Sequence, residues 1–329
     1  MIGVFGSGSW ATAVAKIVLE HPDTTINWWI REPEIIEGIK ETGHNPTYLS
    51  EVYFDTKQIN FSSDISEVIK NSDDLLFVVP SAFLDDSLQG ITPEMLRGKN
   101  IHSAIKGVVL QTNQIVADYF HDKFDVDYNH ISIISGPSHA EETAQQKLTY
   151  LTVASQNNDL ANYVAEFIQC RYVKTVVSDD IHGIEYAAVL KNIYALAAGI
   201  CKGLGYGDNL FAVLISNAMQ EMDIFINELH PMDYRQLERF PYLGDLLVTA
   251  YSQHSRNRTF GNMIGFGYSV KGAQLEMKMI AEGYYATKCV EEIREKLGIS
   301  MPIVETTYKI LYEGISARRA MGELLKNLK

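Results

Sequence analysis

The first half of the chain alternates short apolar runs with segments in which apolar residues recur at helical spacing. The runs are rich in β-branched and aromatic residues, which favour strands. They predict strands over seven ranges: 1–5, 25–30, 74–79, 100–105, 130–135, 149–154 and 172–177. Such alternation indicates an α/β fold in which a mostly parallel sheet carries helices on both faces.

The pattern changes near Ser178. The remaining sequence has long stretches of helical periodicity and almost no strand-like alternation. We therefore predict two domains, a doubly wound sheet in residues 1–179 followed by an all-helical domain in residues 180–329. No Pro-, Ser- or Gly-rich linker lies at the boundary, so a flexible tether is not expected.

The charge balance narrows the classes of partner. The 329 residues include 28 Lys and Arg against 41 Asp and Glu, which gives a formal net charge of −13. This balance repels nucleic acids at long range, so we do not expect them to bind. It still leaves room for a local basic pocket that holds a small phosphate.

The remaining composition points to an ordinary cytoplasmic protein. Cys170, Cys201 and Cys289 lie too far apart in sequence to indicate a disulfide framework or a zinc site, and no metal is expected. Residues 1–5 are typical of a strand and not of a signal peptide, and no apolar run approaches about 18 residues. We therefore expect no membrane span.

A glycine-rich turn follows the first predicted strand. Gly6-Ser7-Gly8-Ser9-Trp10-Ala11 has the pattern G-x-G-x-x-A and leads into a helical segment. Gly6 permits a tight turn, Gly8 lets the backbone approach a pyrophosphate, and Ala11 allows close helix–strand packing. In this strand–turn–helix context the pattern predicts a Rossmann-type dinucleotide site. The alternative is a plain glycine-rich turn.

The end of the second predicted strand bears on the choice of dinucleotide. Arg31 comes first after the strand and suits a 2′-phosphate, which tips the prediction slightly towards NADP. Glu32 follows it and could instead bind the ribose 2′-hydroxyl of NAD. A solvated Arg–Glu pair that opens the next helix would leave the choice undecided.

Ligands of an open parallel sheet bind at the carboxyl ends of its strands, so residues just after each strand are candidates. They are Pro80-Ser81, Lys106-Gly107 and the turn Gly136-Pro137-Ser138-His139-Ala140. Lys106 either points its cation into the crevice or is an exposed loop lysine. Ser138 either offers its hydroxyl to a ligand or belongs to an ordinary helix cap.

A lysine stands on an apolar face of the first long helix of the second domain. Lys191 follows Ile184, Ala187 and Ala188 at helical spacing and precedes Tyr194 on the same stripe. Burial there would disfavour the charged ammonium, which suits a group that gives and takes a proton near neutral pH. The alternative is a lysine that extends its ammonium out to solvent.

Two later segments offer further candidates. Asp245 places a carboxylate among leucines after Gly244, where it could also be only a helix cap. Ser255-Arg256-Asn257-Arg258 opens a helical segment whose first turn, with its free amides and basic side chain, could bind a phosphate. A solvated turn is the alternative for this run.

Taken in order, these segments resemble the bacterial NAD(P)-dependent glycerol-3-phosphate dehydrogenases. Beyond the glycine-rich turn and Gly136-Pro137-Ser138, the resemblance rests on four further segments: Val189-Leu190-Lys191-Asn192-Ile193, Leu243-Gly244-Asp245-Leu246, Ser255 to Gly261, and Ala281-Glu282-Gly283. The family implies a Rossmann domain followed by a helical domain, and reduction of dihydroxyacetone phosphate to sn-glycerol 3-phosphate for phospholipid synthesis.

The resemblance also implies roles for individual residues. Lys191 is the expected acid/base residue, with Lys106 and Asp245 in the catalytic set. Residues expected to face the substrate are Lys106, Gly136, Ser138, Lys191, Asp245, Ser255, Arg256 and Asn257. Residues expected near NADP or NAD are Gly6, Gly8, Ser9, Trp10, Arg31, Tyr48, Lys106, Ala140, Arg256, Ile280 and Glu282.

Two other functions remain open at this point. A related reductase could act on an unphosphorylated hydroxy acid, although Ser255 to Arg258 would then have no evident task. A non-catalytic dinucleotide sensor would not need an amine at position 191. A homodimer is compatible with the sequence but is not indicated by any motif.

Overall fold

The computed structural model describes residues 1–277 and 281–328. Within them the chain forms eight strands, one more than the sequence predicts. The strands are β1 (Ile2–Phe5), β2 (Ile26–Trp29), β3 (Ile59–Ser62), β4 (Asp74–Phe77), β5 (Asn100–Ser103), β6 (Ile131–Ser135), β7 (Thr149–Ala154) and β8 (Val173–Ser178). The prediction missed β3 because its residues, Ile-Asn-Phe-Ser, alternate apolar and polar on a partly buried edge strand and so form no continuous apolar run.

The strands form one sheet in the order β3-β2-β1-β4-β5-β6-β7-β8. Neighbouring strands run parallel, except that β6 and β7 are antiparallel. The order of the first six strands is that of a doubly wound dinucleotide-binding sheet, so the predicted fold class is confirmed. The strand order reverses between β1 and β4, and the crevice at their carboxyl ends is where such a sheet binds its ligand.

The first compact unit comprises Met1–Ile184. One core cluster joins Val4, Trp28 and Leu76 of the central strands to Val14 and Val164 of two helices. The helices of this unit are α1 (Ser9–Val18), α2 (Pro33–Thr42), α3 (Ile65–Lys70), α4 (Leu84–Ser87), α5 (Pro93–Leu96), α6 (Val116–Phe124), α7 (Ala140–Ala144) and α8 (Asn158–Ile168). Short 3-10 turns lie at Thr56–Gln58, Ser81–Phe83 and Tyr128–His130.

The second compact unit comprises Glu185–Lys329, and every regular element described after Ser178 is helical, as predicted. The helices are α9 (Ile181–Gly203), α10 (Asp208–Leu229), α11 (Asp245–Tyr251), α12 (Arg256–Gly265), α13 (Val270–Glu276), α14 (Glu282–Leu297), α15 (Pro302–Leu311) and α16 (Ala317–Leu324), with a π-helical turn at Phe240–Gly244 before α11. The division between the units falls in the first turn of α9, just after the boundary proposed from sequence.

Helix α9 is hydrophobic on all sides. Among the described residues it is the one helix long and apolar enough to cross a membrane, with a mean hydropathy of 1.3, but that stretch is entirely buried inside the protein. A buried helix of this kind is typical of the core of a globular domain. Cys201 at its end is buried as well, and burial raises the pKa of this thiol to about 12, which makes it an inert core residue.

Helices α9 and α12 meet backbone to backbone. Gly199 and Gly203 of α9 and Gly261 and Gly265 of α12 lie at the contact, and a Cβ on any of them would come within 2.0–2.4 Å of a carbonyl oxygen on the facing helix. Glycine is therefore required at all four positions for this approach. The contact fixes the start of α12 relative to the middle of α9, where the candidate polar residues stand.

Candidate active site

The glycine-rich turn lies at the carboxyl end of β1. Gly6 adopts a φ of +129°, and a Cβ there would lie 2.9 Å from the carbonyl oxygen of Val78, so only glycine fits. Gly8 precedes Ser9, the first residue of α1, and a Cβ on Gly8 would meet open space. An open glycine backbone at a helix N-terminus is the cradle that a dinucleotide pyrophosphate requires. These residues therefore fit an NAD(P) cofactor.

Lys106 lies beside this turn and not out in solvent. Its Nζ donates to the carbonyl oxygen of Gly136 at 2.8 Å and to Ser138 Oγ at 3.1 Å, and it stands 5.8 Å from the centre of the Trp10 ring. Gly136 has a φ of +128°, and a Cβ there would clash with the backbone of the neighbouring strand β7. The structure thus brings four sequence candidates together at one edge of the sheet. Ala140 begins α7 directly after the same turn and is buried.

Arg31 and Glu32 form an ion pair at the carboxyl end of β2. Arg31 Nη2 and Nε lie 2.7 and 3.0 Å from Glu32 Oε1, and the guanidinium carbon stands 5.9 Å from the Phe83 ring centre. The second carboxylate oxygen of Glu32 accepts a hydrogen bond from Ser7 Oγ at 3.0 Å. Glu32, which the sequence analysis gave as the alternative that would bind the ribose of NAD, is therefore hydrogen-bonded to the glycine-rich turn.

Asn45 is a functional candidate that sequence reasoning missed. Its buried amide donates to the carbonyl oxygen of Ser7 at 3.0 Å and to Thr12 Oγ1 at 2.9 Å. Its Oδ1 accepts hydrogen bonds from the backbone amides of Thr47 and Tyr48, both at 3.0 Å. Asn45 thus ties the segment that carries Tyr48 to the glycine-rich turn, and no sequence motif marks it.

Lys191 and Asp245 form a buried pair in the helical unit. Lys191 is 4% exposed and Asp245 is 1% exposed. Lys191 Nζ lies 2.5 Å from Asp245 Oδ1. The lysine therefore does not extend to solvent, and the aspartate at the start of α11 does more than begin a helix. A buried cation held by a carboxylate is a group whose proton can serve chemistry.

A second polar cluster joins the start of α12 to α9 and α14. Asn257 Nδ2 donates to Asn192 Oδ1 at 2.9 Å, and Asn257 Oδ1 accepts from the backbone amide of Gly283 at 2.8 Å. Sequence reasoning did not assign a role to Asn192, although it directly follows Lys191. The cluster fixes Asn257 at the N-terminus of α12.

Arg256 stands at the first position of α12 with its side chain exposed. Ser255 caps that helix, its Oγ accepting from the amide of Arg258 at 3.3 Å, as the sequence predicts. Glu282 begins α14, one residue before Gly283. Ile280, the remaining cofactor candidate, lies outside the described residues.

Comparison with known proteins identifies the family. The sequence matches the N-terminus and the C-terminus of the NAD-dependent glycerol-3-phosphate dehydrogenase family over residues 1–161 and 180–322. The chain belongs to this family. It is 34% identical to the NAD(P)+-dependent glycerol-3-phosphate dehydrogenase of Agathobacter rectalis, covering 98% of this chain and 95% of that protein. The enzyme of the same name from Streptococcus sanguinis is 32% identical over 99% and 95%.

A crystal structure agrees with the sequence comparisons. The glycerol-3-phosphate dehydrogenase of Coxiella burnetii superposes with a TM-score of 0.91 at 28% identity, covering 98% of each chain. The protein is therefore an NAD(P)-dependent oxidoreductase of the glycerol-3-phosphate dehydrogenase family. The resemblance stated from the motifs, and the fold it implied, are confirmed.

Proposed function

We propose that this chain interconverts dihydroxyacetone phosphate and sn-glycerol 3-phosphate with NADH or NADPH, and that Lys191 is its acid/base residue. The observation that carries the residue assignment is the buried ion pair between Lys191 Nζ and Asp245 Oδ1 at 2.5 Å. Burying an ion pair costs desolvation free energy that its attraction often does not recover, and a non-catalytic sensor would have no use for such a pair. The product, sn-glycerol 3-phosphate, is the backbone precursor of glycerophospholipids, which is consistent with the family.

Lys191 performs the proton chemistry of the proposal. When bound, the reduced nicotinamide nucleotide supplies a hydride to C2 of the substrate. The C2 oxygen gains negative charge as the carbonyl is reduced, and the ammonium of Lys191 stabilises that charge and transfers a proton to the oxygen. The amine is left neutral and regains a proton from water. Asp245 holds Lys191 Nζ in place through the buried ion pair.

The other candidate residues bind the substrate and orient its carbonyl. Lys106 is held by Gly136 and Ser138, so its ammonium is preorganised to face the substrate as a second cation. We assign the substrate phosphate to Arg256 and Asn257 at the start of α12, where free helix amides and a guanidinium attract an anion. Binding at the phosphate orients the distant carbonyl, which converts binding energy into rate.

Most residues that we assign to the cofactor lie in the first compact unit, which contains the sheet. We place Gly6, Gly8 and Ser9 at the pyrophosphate, and we assign the remaining cofactor contacts to Trp10, Arg31, Tyr48, Lys106, Ala140, Arg256 and Glu282. The buried indole N–H of Trp10 supports this placement, because it has no hydrogen-bond partner among the described residues and a bound group could accept from it. We also propose a cytoplasmic location, and a homodimer stays a prediction.

The test is Lys191→Ala. The variant should fold and bind NADH but lose about 10²- to 10⁴-fold in kcat for dihydroxyacetone phosphate, the usual contribution of a general acid. Lys202→Ala is the matched control, since Lys202 lies on the same helix with its side chain exposed. Circular dichroism and NADH fluorescence check folding and binding. A Lys191→Ala enzyme that retains more than about half of the parental rate would refute the assignment.

A further inference from the structure

The ion pair at the end of β2 has two unequal partners. The Glu32 side chain is 26% exposed and is held by both Ser7 and Arg31, whereas the Arg31 side chain is 64% exposed. Exposed ion pairs contribute little stability, so Arg31 can leave Glu32 at small cost. Glu32 would still be bound to the glycine-rich turn after Arg31 had moved.

The backbone reinforces the position of Glu32. Pro33 occupies the first position of α2 and restricts the residue before it to extended geometry, and Glu32 has φ −90° and ψ 105°. Glu32 thus stands at the N-cap position of α2, yet its carboxylate turns to Ser7, one residue from the open backbone of Gly8. The carboxylate is therefore built into the wall of the dinucleotide cradle.

The net charge of the Arg31–Glu32 pair determines which dinucleotide this part of the site favours. Arg31 alone would attract a 2′-phosphate, which is why the sequence slightly favours NADP as the predicted cofactor. Two of the guanidinium donors are instead directed at Glu32 Oε1, so the pair presents no net positive charge. A fixed carboxylate accepts hydrogen bonds from ribose hydroxyls and repels a phosphate dianion.

We infer that Glu32, positioned by the Ser7 hydroxyl, makes this enzyme prefer NADH over NADPH, with Arg31 as the movable cation that still allows NADPH to bind. The inference rests on the proposed function, because it assigns how the same cofactor site chooses between two dinucleotides. Ser7 is a positioning residue in this scheme, since it acts through Glu32.

The test measures the dissociation constants of NADH and NADPH by fluorescence titration of the unliganded protein, followed by kcat/KM with each cofactor. The parent should bind NADH at least about tenfold more tightly than NADPH. Glu32→Gln should weaken NADH and strengthen NADPH, changing the ratio of their constants by about tenfold or more, as expected for one lost charge-assisted contact and one relieved repulsion.

Four further variants test the roles of Ser7 and Arg31 and supply a control. Ser7→Ala should shift the ratio of the two dissociation constants in the same direction by a smaller factor. Ser7→Thr keeps the hydroxyl and should therefore keep the parental ratio. Arg31→Ala should weaken NADPH more than NADH, because the carboxylate is then unneutralised. Glu34→Gln removes an exposed charge from the first turn of the same helix and should leave the ratio unchanged.

The outcomes separate this inference from the proposed function. A ratio that Glu32→Gln leaves within about twofold of the parental value would overturn the role of Glu32, even if the enzyme reduces dihydroxyacetone phosphate normally. A parent enzyme that prefers NADPH would overturn the stated preference. A protein that binds NADH with the predicted shifts but never reduces dihydroxyacetone phosphate would leave the inference intact and refute the proposed substrate.

Discussion

Replacing Gly261 with alanine should show how far the backbone contact between α9 and α12 controls the site. A Cβ on Gly261 would lie 2.0 Å from the carbonyl oxygen of Leu196. A carbon and a carbonyl oxygen in contact stay about 3.3 Å apart, so α12 must retreat from α9 by roughly 1 Å. Over-packing of this kind costs about 1–3 kcal/mol, which is less than the stability of a typical domain. We expect the variant to fold and to melt at a lower temperature.

The same displacement should reach the substrate residues. Asn257 lies one turn before Gly261 on α12, and its hydrogen bond to Asn192 measures 2.9 Å. A shift of roughly 1 Å breaks that bond and moves Arg256 with it. Misplacement of catalytic groups by about 1 Å can cost around 10²-fold in rate. We therefore expect kcat/KM for dihydroxyacetone phosphate to fall by about 10- to 100-fold, while the dissociation constant of NADH changes much less.

Gly322→Ala is the control for this experiment. Gly322 lies inside α16, and a Cβ there would meet open space. Alanine should raise the free energy of unfolding by about 0.5–1 kcal/mol through helix propensity and leave the kinetics unchanged. Urea titrations and steady-state kinetics below the melting temperature measure both effects. A folded Gly261→Ala enzyme with parental kcat/KM would refute the claim that this contact positions the site.

Two further predictions concern phosphate binding and acid stability. Arg256→Ala should lower kcat/KM for dihydroxyacetone phosphate by one to two decades, roughly the loss of a charge-assisted contact, and hardly affect unphosphorylated dihydroxyacetone. Equal proportional losses on both substrates, with NADH affinity unchanged, would show that Arg256 does not bind the phosphate. Burial raises the pKa of Asp74, but hydrogen bonds from His102 and Asn100 outweigh it and lower that pKa from 3.8 to about 2. The free energy of unfolding should therefore fall by about 2 kcal/mol as the pH drops from about 4 to about 2, and Asp74→Asn should flatten this decline in denaturant titrations; an unchanged slope would contradict the reasoning.

The fold could be predicted from sequence wherever the signal was local and repeated. Seven strands were predicted from apolar runs, and the change of pattern near Ser178 marked the start of the helical domain. Strand β3 could not be found this way, because it lies at the edge of the sheet, is only partly buried, and so has no continuous apolar run. The antiparallel direction of β7 was equally hidden, since strand direction depends on which neighbour a strand meets.

The candidate site divides along the same line. Gly6 and Gly8 were identifiable because a tight turn and an open backbone are requirements of a few consecutive residues. Asn45 acts through Thr12, 33 residues away, and Asn257 acts through Asn192, 65 residues away. An asparagine in a loop or at a helix start has many ordinary roles, so neither contact leaves a mark in the local pattern.

Lys191 shows why even a strong periodic pattern could not predict whether a side chain is buried or reaches solvent. Helical spacing places the lysine on an apolar stripe, and a stripe predicts burial only when the other faces of the helix are polar. Helix α9 is buried on nearly every side from Gly183 to Cys201, so its periodicity carries no information about which face a lysine occupies. What decides that Lys191 stays inside is Asp245, since a buried ammonium is tolerable only beside a carboxylate. The carboxylate that pairs with Lys191 is thus on another helix, and only the folded chain brings the two side chains together.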